Sequence, residues 1–110
     1  MRTLLALLLL LASPALAAAP CAPPVTFYDG FAGQFFATPT TTPKTSGFIY
    51  GLDEQTLYVT FYNGAITGFS NVPVNTAQAF NYSLTPDTFY TTQIKVYYTK
   101  TYTCGSPPLG

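Results

Sequence analysis

The chain has 110 residues, four Lys and Arg against four Asp and Glu, and only 7% charged residues, where an ordinary soluble domain has about a quarter. Apolar residues make up 48% and aromatics 16%, and His and Trp are absent. The length allows one domain, zero net charge leaves no electrostatic footprint for nucleic acid or an anionic membrane, and the lack of His removes the commonest general base and metal ligand.

The chain opens with Arg2, a leucine run from Leu4 to Leu11, then Pro14 and Ala15-Leu16-Ala17. One positive charge, a short apolar core and an A-x-A site describe a secretory signal peptide over residues 1–17, or to 19 with the second cleavage choice. The apolar run, about nine residues, is too short to span a bilayer as a helix. Pro20 directly before Cys21 makes a poor lipobox. Cleavage removes the only arginine. Three lysines (Lys44, Lys95, Lys100) then face four carboxylates (Asp29, Asp53, Glu54, Asp87), a net charge of −1. The nine Tyr and nine Phe all remain, and that mixture with Thr favours strands.

Cys21 and Cys104 are the only cysteines and bracket the exported part. An even count in an exported chain reads as a disulfide. Closing a loop of about 84 residues would contribute roughly 4–5 kcal/mol on the chain-entropy argument. Two free thiols or an intermolecular bridge are the alternatives. A catalytic thiol has no His to activate it.

Residues 20–43 form a Pro-, Thr- and Phe-rich extension. Within it Val25 to Tyr28 is a candidate short strand, Asp29-Gly30 a turn, and Thr38 to Pro43 an extended linker. Regular patterning follows. Gly47 to Leu52 is an apolar run, and Asp53-Glu54-Gln55 a polar turn. Thr56 to Tyr62 alternates, with Leu57, Val59 and Phe61 on one face and Tyr58, Thr60 and Tyr62 on the other. Asn63-Gly64 then predicts a hairpin with a two-residue type I′ turn. Ala65 to Asn71 is the return strand, so residues 47–71 read as a three-stranded meander. After Val72-Pro73, the spacing of Val74, Ala77, Phe80 and Leu84 predicts one short helix over about 74–84. Pro73 sits in its first turn, and Asn75 with Gln78 resembles a relaxed capping box. Pro86-Asp87 breaks the pattern. Phe89 to Ile94 is another helical turn, Lys95 to Thr103 a last strand or extended tail, and Gly105 to Gly110 a frayed end. The fold class is α+β: a small antiparallel sheet of three to five strands packed on one short helix.

From Lys44 to Tyr98 the chain resembles the KTSC domain, a module named after the C-terminal region of some lysyl-tRNA synthetases. The residues that carry the resemblance are Ser46, Ile49-Tyr50, Leu57, Val59, Phe61 and Asn63-Gly64. Asn71-Val72-Pro73, Phe89-Tyr90, Ile94-Lys95 and Tyr98 complete it. The resemblance implies a domain over 44–98, followed by a tail at 99–110. It implies a sheet packed on helix, no assigned activity, and single-stranded RNA binding as the suggested role. Three departures stand out. Thr67-Gly68-Phe69 replaces the family's Tyr-x-Tyr, Asp87 stands where a glycine is usual, and the C-terminal basic residues shrink to Lys95.

Little in the chain reads as catalysis. Asp53-Glu54 and Asp29 fit solvated turns better than acid–base pairs, and Asp87 fits a turn or a helix cap. The four carboxylates lack calcium-loop spacing, the glycines at 30 and 33 lack a phosphate-loop context, and Lys44 with Ser46 suits the start of a strand better than a dyad. No catalytic residue, cofactor or metal is expected. The aromatic surplus is the remaining candidate. Tyr58, Tyr62 and Phe69 form a possible stacking platform for a protein, a glycan, a second copy or, less favoured, single-stranded nucleic acid. Against this stands the expectation that residues 25–37 cover that face, giving Phe27, Phe31, Phe35 and Phe36 a place to pack. The expected protein is an exported, non-enzymatic binding module, periplasmic or extracellular; a small hydrolase ranks last.

Overall fold

The computed structural model describes residues 21–25 and 29–110. The expected signal peptide and most of the strand expected at Val25–Tyr28 lie outside the described residues. Five strands form one antiparallel sheet in chain order: β1 (Gly30–Gln34), β2 (Thr45–Gly51), β3 (Thr56–Phe61), β4 (Ile66–Phe69) and β5 (Lys100–Cys104). Between β4 and β5 the chain makes α1 (Val74–Asn81) and α2 (Pro86–Phe89), and α2 runs into a π-helical turn over Tyr90–Ile94. The α+β class and the central meander are as the patterning predicts.

The alternation in β3 works as expected. Leu57, Val59 and Phe61 are buried under the helices, and Tyr58 and Thr60 are half-buried on the opposite side. Phe48 and Tyr50 of β2 join the helix side. The core is an aromatic lattice. Phe80 of α1 meets Phe35 at 4.8 Å and Phe48 at 5.4 Å between ring centroids. Tyr90 stands edge-on to Phe61 at 5.4 Å and to Phe69 at 5.8 Å. Its hydroxyl shares a 3.1 Å hydrogen bond with the buried Thr67 hydroxyl. The Tyr50 hydroxyl donates to the Val72 carbonyl at 2.6 Å. Among the described residues no buried side-chain polar atom lacks a partner, as a core this small requires.

The hairpin loop differs from expectation. Gly64 has φ +90°, but Asn63 is not at positive φ. Gly64 N donates to the Phe61 carbonyl at 2.9 Å and Phe61 N to the Ala65 carbonyl at 3.0 Å. That is a three-residue loop with a glycine bulge, not a two-residue type I′ turn. Asn63 works through its side chain, accepting from Ala65 N at 3.0 Å and donating to the Ser106 carbonyl at 2.9 Å.

The helix is shorter than its stripe predicted. Val74, Ala77 and Phe80 pack on the sheet, but α1 ends at Asn81 and Leu84 is 97% exposed. Pro86 is the cause: a residue before proline is pushed out of the α region, and Thr85 sits at φ −130°, ψ 70°. The relaxed capping box does not form. Pro73 is itself the N-cap and no side chain caps the helix. Pro86 starts α2 at its first position, a favoured place for proline. Thr91 and Thr92 then turn their hydroxyls back onto the Asp87 and Thr88 carbonyls at 2.7–3.1 Å. Such back-bonding competes with the α ladder. The ladder widens, with Lys95 N reaching the Tyr90 carbonyl at 2.9 Å, and Tyr90 and Ile94 are both buried.

The C-terminal segment is tied down, not frayed. Lys95 Nζ donates to the Leu109 carbonyl at 2.8 Å, Lys100 Nζ donates to the Gly110 carbonyl, and Leu109 packs against the core.

Candidate binding face

The sheet has one face under the helices and one without them. The register fixes the residues of the open face: Gly30, Ala32 and Gln34 from β1, Gly47, Ile49 and Gly51 from β2, Thr56, Tyr58 and Thr60 from β3, Ile66 (itself buried) and Gly68 from β4, and Tyr102 and Cys104 from β5. None of these residues is charged.

Residues 29–37 do not cover this face. The segment adds β1 at the sheet's edge, antiparallel to β2 with Phe31 opposite Tyr50 and Gly33 opposite Phe48. Its odd-numbered side chains therefore go to the helix side. Phe31 meets Phe48 at 5.8 Å, and Phe35 is buried in the core. Among the described phenylalanines of this segment, Phe36 turns outward, 78% exposed. The expected cover of the Tyr58 face is absent among the described residues of this segment, because pairing with β2 takes up the inward half of the β1 backbone and sends Phe31 and Phe35 to the helix side.

The expected platform of Tyr58, Tyr62 and Phe69 does not assemble. Phe69 lies opposite Leu57, fully buried on the helix side. Tyr58 leans toward β4 and β5, edge-on to Tyr102 at 5.7 Å. Gly68 makes that possible, since a Cβ there would lie 2.7 Å from the Tyr58 ring. Burial, followed by the nearby Tyr102 and Glu54, raises the Tyr58 phenol pKa above its usual value. Tyr62 is half-exposed and leans the other way, its hydroxyl donating to the Phe35 carbonyl.

A shallow hollow of about 470 Å³ opens beside Tyr62, lined by Gln34, Phe36, Ser46, Ile49, Thr60 and Tyr62. The Ser46 and Thr60 hydroxyls share a 2.9 Å hydrogen bond across its floor. Ser46 is thus engaged with Thr60, as a strand residue. On the other side of Phe36 lies a second hollow of about 510 Å³, lined by the 38–43 linker and the α1–α2 connection, where exposed Leu84 sits.

Asp87 does work that its sequence position did not reveal. Its carboxylate accepts from Lys44 N at 2.8 and 3.0 Å, from Thr45 N at 3.0 Å and from the Thr45 hydroxyl at 2.9 Å. It thereby fastens the start of β2 to α2. Nothing local in the sequence signals a bond across more than forty residues.

The two cysteines pair as expected, with Cα atoms 5.9 Å apart, inside the usual range for a bridge. Cys104 belongs to β5, so the bridge ties residues 21–25 to that edge, where the Tyr102 hydroxyl also donates to the Ala22 carbonyl at 3.2 Å. Among the described residues no cluster of metal-ligating side chains occurs, and no helix is long and apolar enough to cross a membrane.

Comparison with known protein families matches residues 46–98 to the KTSC domain. Neither curated proteins nor solved structures gave a match. The matched span runs from β2 through the π-helical turn, and the two edge strands β1 and β5 lie outside it. Residues 46–98 are thus similar to the KTSC domain family, and the chain flanks that span with a strand on either side.

Proposed function

We propose that this protein is an exported, non-enzymatic binding module whose open sheet face takes an uncharged partner surface, protein or glycan. One observation carries the reading: a sheet face whose strand residues carry no charge and that no described helix covers, with a hollow where exposed aromatics, Phe36 and Tyr62, stand beside a Ser46–Thr60 hydroxyl pair. Aromatic rings supply large contact area at low entropic cost, and hydroxyls accept or donate as the partner requires. The disulfide and the leader pattern support export.

The nucleic-acid reading finds less support. Lys95 and Lys100 direct their ammonium groups to C-terminal carbonyls, and none of the paired strand residues on the open face is a lysine. Binding to single strands would need that positive charge and would fade steeply with salt.

The test is capture of partners from envelope and culture medium by the wild type beside Ile49→Glu, which sets a charge on the open face. The reading expects one or more partners that the variant fails to retain. Identical partner lists, or salt-sensitive capture of nucleic acid alone, would refute it.

A further inference from the structure

Among the described residues, the outer edge of β1 pairs with no other strand. Leu52 N donates to the Asp29 carbonyl at 3.2 Å and Phe35 N to the Ser46 carbonyl at 3.0 Å. With no register shift between them, the odd-numbered residues of this stretch face β2. The N–H and C=O groups of Gly30, Ala32 and Gln34 therefore point away from the sheet. All three residues are exposed, and none makes another backbone hydrogen bond among the described residues.

Proteins usually blunt such an edge with charge, proline or a bulge. The opposite edge, β5, carries Lys100, a register shift against β4, and the disulfide-tied segment at Cys21. β1 reads Gly-Phe-Ala-Gly-Gln, with no charge, no proline and no register shift against β2. From Gly30 to Pro43 the chain has no charged residue at all.

We propose that β1 is a self-pairing edge, joining a second copy of this chain antiparallel about a two-fold axis at Ala32. In that register Ala32 meets the partner's Ala32, and Gly30 meets the partner's Gln34. Each such pair can exchange both of its N–H···O bonds. Phe31 falls opposite the partner's Gly33, so its half-buried ring covers bare backbone there. No like charges are brought opposite each other. A second copy fits this edge in particular, because the pairing is self-complementary, as an isologous contact requires. The result is one continuous sheet with two open faces side by side. The inference rests on the β1 backbone and not on the open-face reading, so either can fail alone.

Sedimentation velocity of the disulfide-intact protein across a concentration series tests this, with Ala32→Lys and Ala32→Glu beside the wild type. Ala32 points to the open face and its N–H does not serve β2, so both variants keep the β1–β2 ladder. The wild type is expected to show a concentration-dependent dimer. Each variant alone should weaken it about fivefold through like charges set directly opposite. A one-to-one mixture of the two should restore it to wild-type strength or better. A wild type that stays monomeric throughout, equal dimerisation in all three, or a mixture no tighter than either variant overturns the proposal.

Discussion

Asp87→Ala is the most instructive single perturbation of this fold. Four hydrogen bonds end on that carboxylate, and they differ in what replaces them. Lys44 is exposed, so water takes over its N–H at little cost. Thr45 is fully buried, so its N–H and hydroxyl lose an acceptor that water cannot supply. An unsatisfied buried donor costs about 1–3 kcal/mol, and two of them, with some relaxation, put Asp87→Ala near 3 kcal/mol. Thr45→Val removes only the hydroxyl while keeping shape and the N–H bond, and should cost about 1 kcal/mol. Asp87→Asn should fall between them, since the amide keeps one acceptor for Thr45 but turns a donor toward Lys44. The two sites touch, so the double mutant should fall short of additivity by about 1 kcal/mol. Urea unfolding of the oxidised proteins, followed by circular dichroism, measures all four. An Asp87→Ala cost below about 0.5 kcal/mol, the level of an ordinary surface change, would show that the carboxylate does not hold β2 to α2.

Three further outcomes follow from the same contacts. Reducing Cys21–Cys104, or replacing both by Ser, should lower stability by up to roughly 4–5 kcal/mol; an unchanged urea midpoint would contradict this. Phe80→Ala should cost about 3–5 kcal/mol, for it empties the centre of the aromatic lattice, whereas Leu84→Ser, beyond the end of α1, should stay within about 0.5 kcal/mol although the sequence spacing groups the two. Finally, burial raises the phenol pKa of Tyr50, with Tyr98 adding to it, and of Tyr90, where the Thr67 bond partly offsets it. The unfolded chain therefore loses these protons first, so stability is intact below about pH 10 and falls above it, by up to ~1.4 kcal/mol per pH unit for each phenol. Unfolding curves across that range check the sign, and stability rising with pH there would refute it.

The sequence made some of this fold legible and hid the rest for identifiable reasons. β3 shows because one of its faces is buried and the other only half so, which writes a period of two into the chain. The disulfide shows because its cysteines have no competitors. The position of Phe69 does not show, and the cause is a single loop residue. A two-residue turn at Asn63-Gly64 would set Tyr58 opposite Phe69 and gather the expected platform. The observed three-residue loop sets Leu57 opposite Phe69 instead. That one-residue slip sends Phe69 to the core. The choice between the loops depends on Asn63 reaching Ser106 and Ala65 with its side chain, a tertiary fact. β1 was obscured by its glycines, which weaken any strand pattern, although those glycines leave its edge uncluttered. The π-helical turn depends on threonines bonding backward, which composition alone does not announce.

The central claim, that the open sheet face is the working surface, is tested most directly by site-specific photo-crosslinking in the cell. A photo-reactive amino acid placed at Ile49 samples the open face, and one at Tyr82, 79% exposed on the helical side, samples the other. Adducts to another molecule from position 49 and none from position 82 are the predicted result. Adducts from position 82 alone, or from neither, would contradict it.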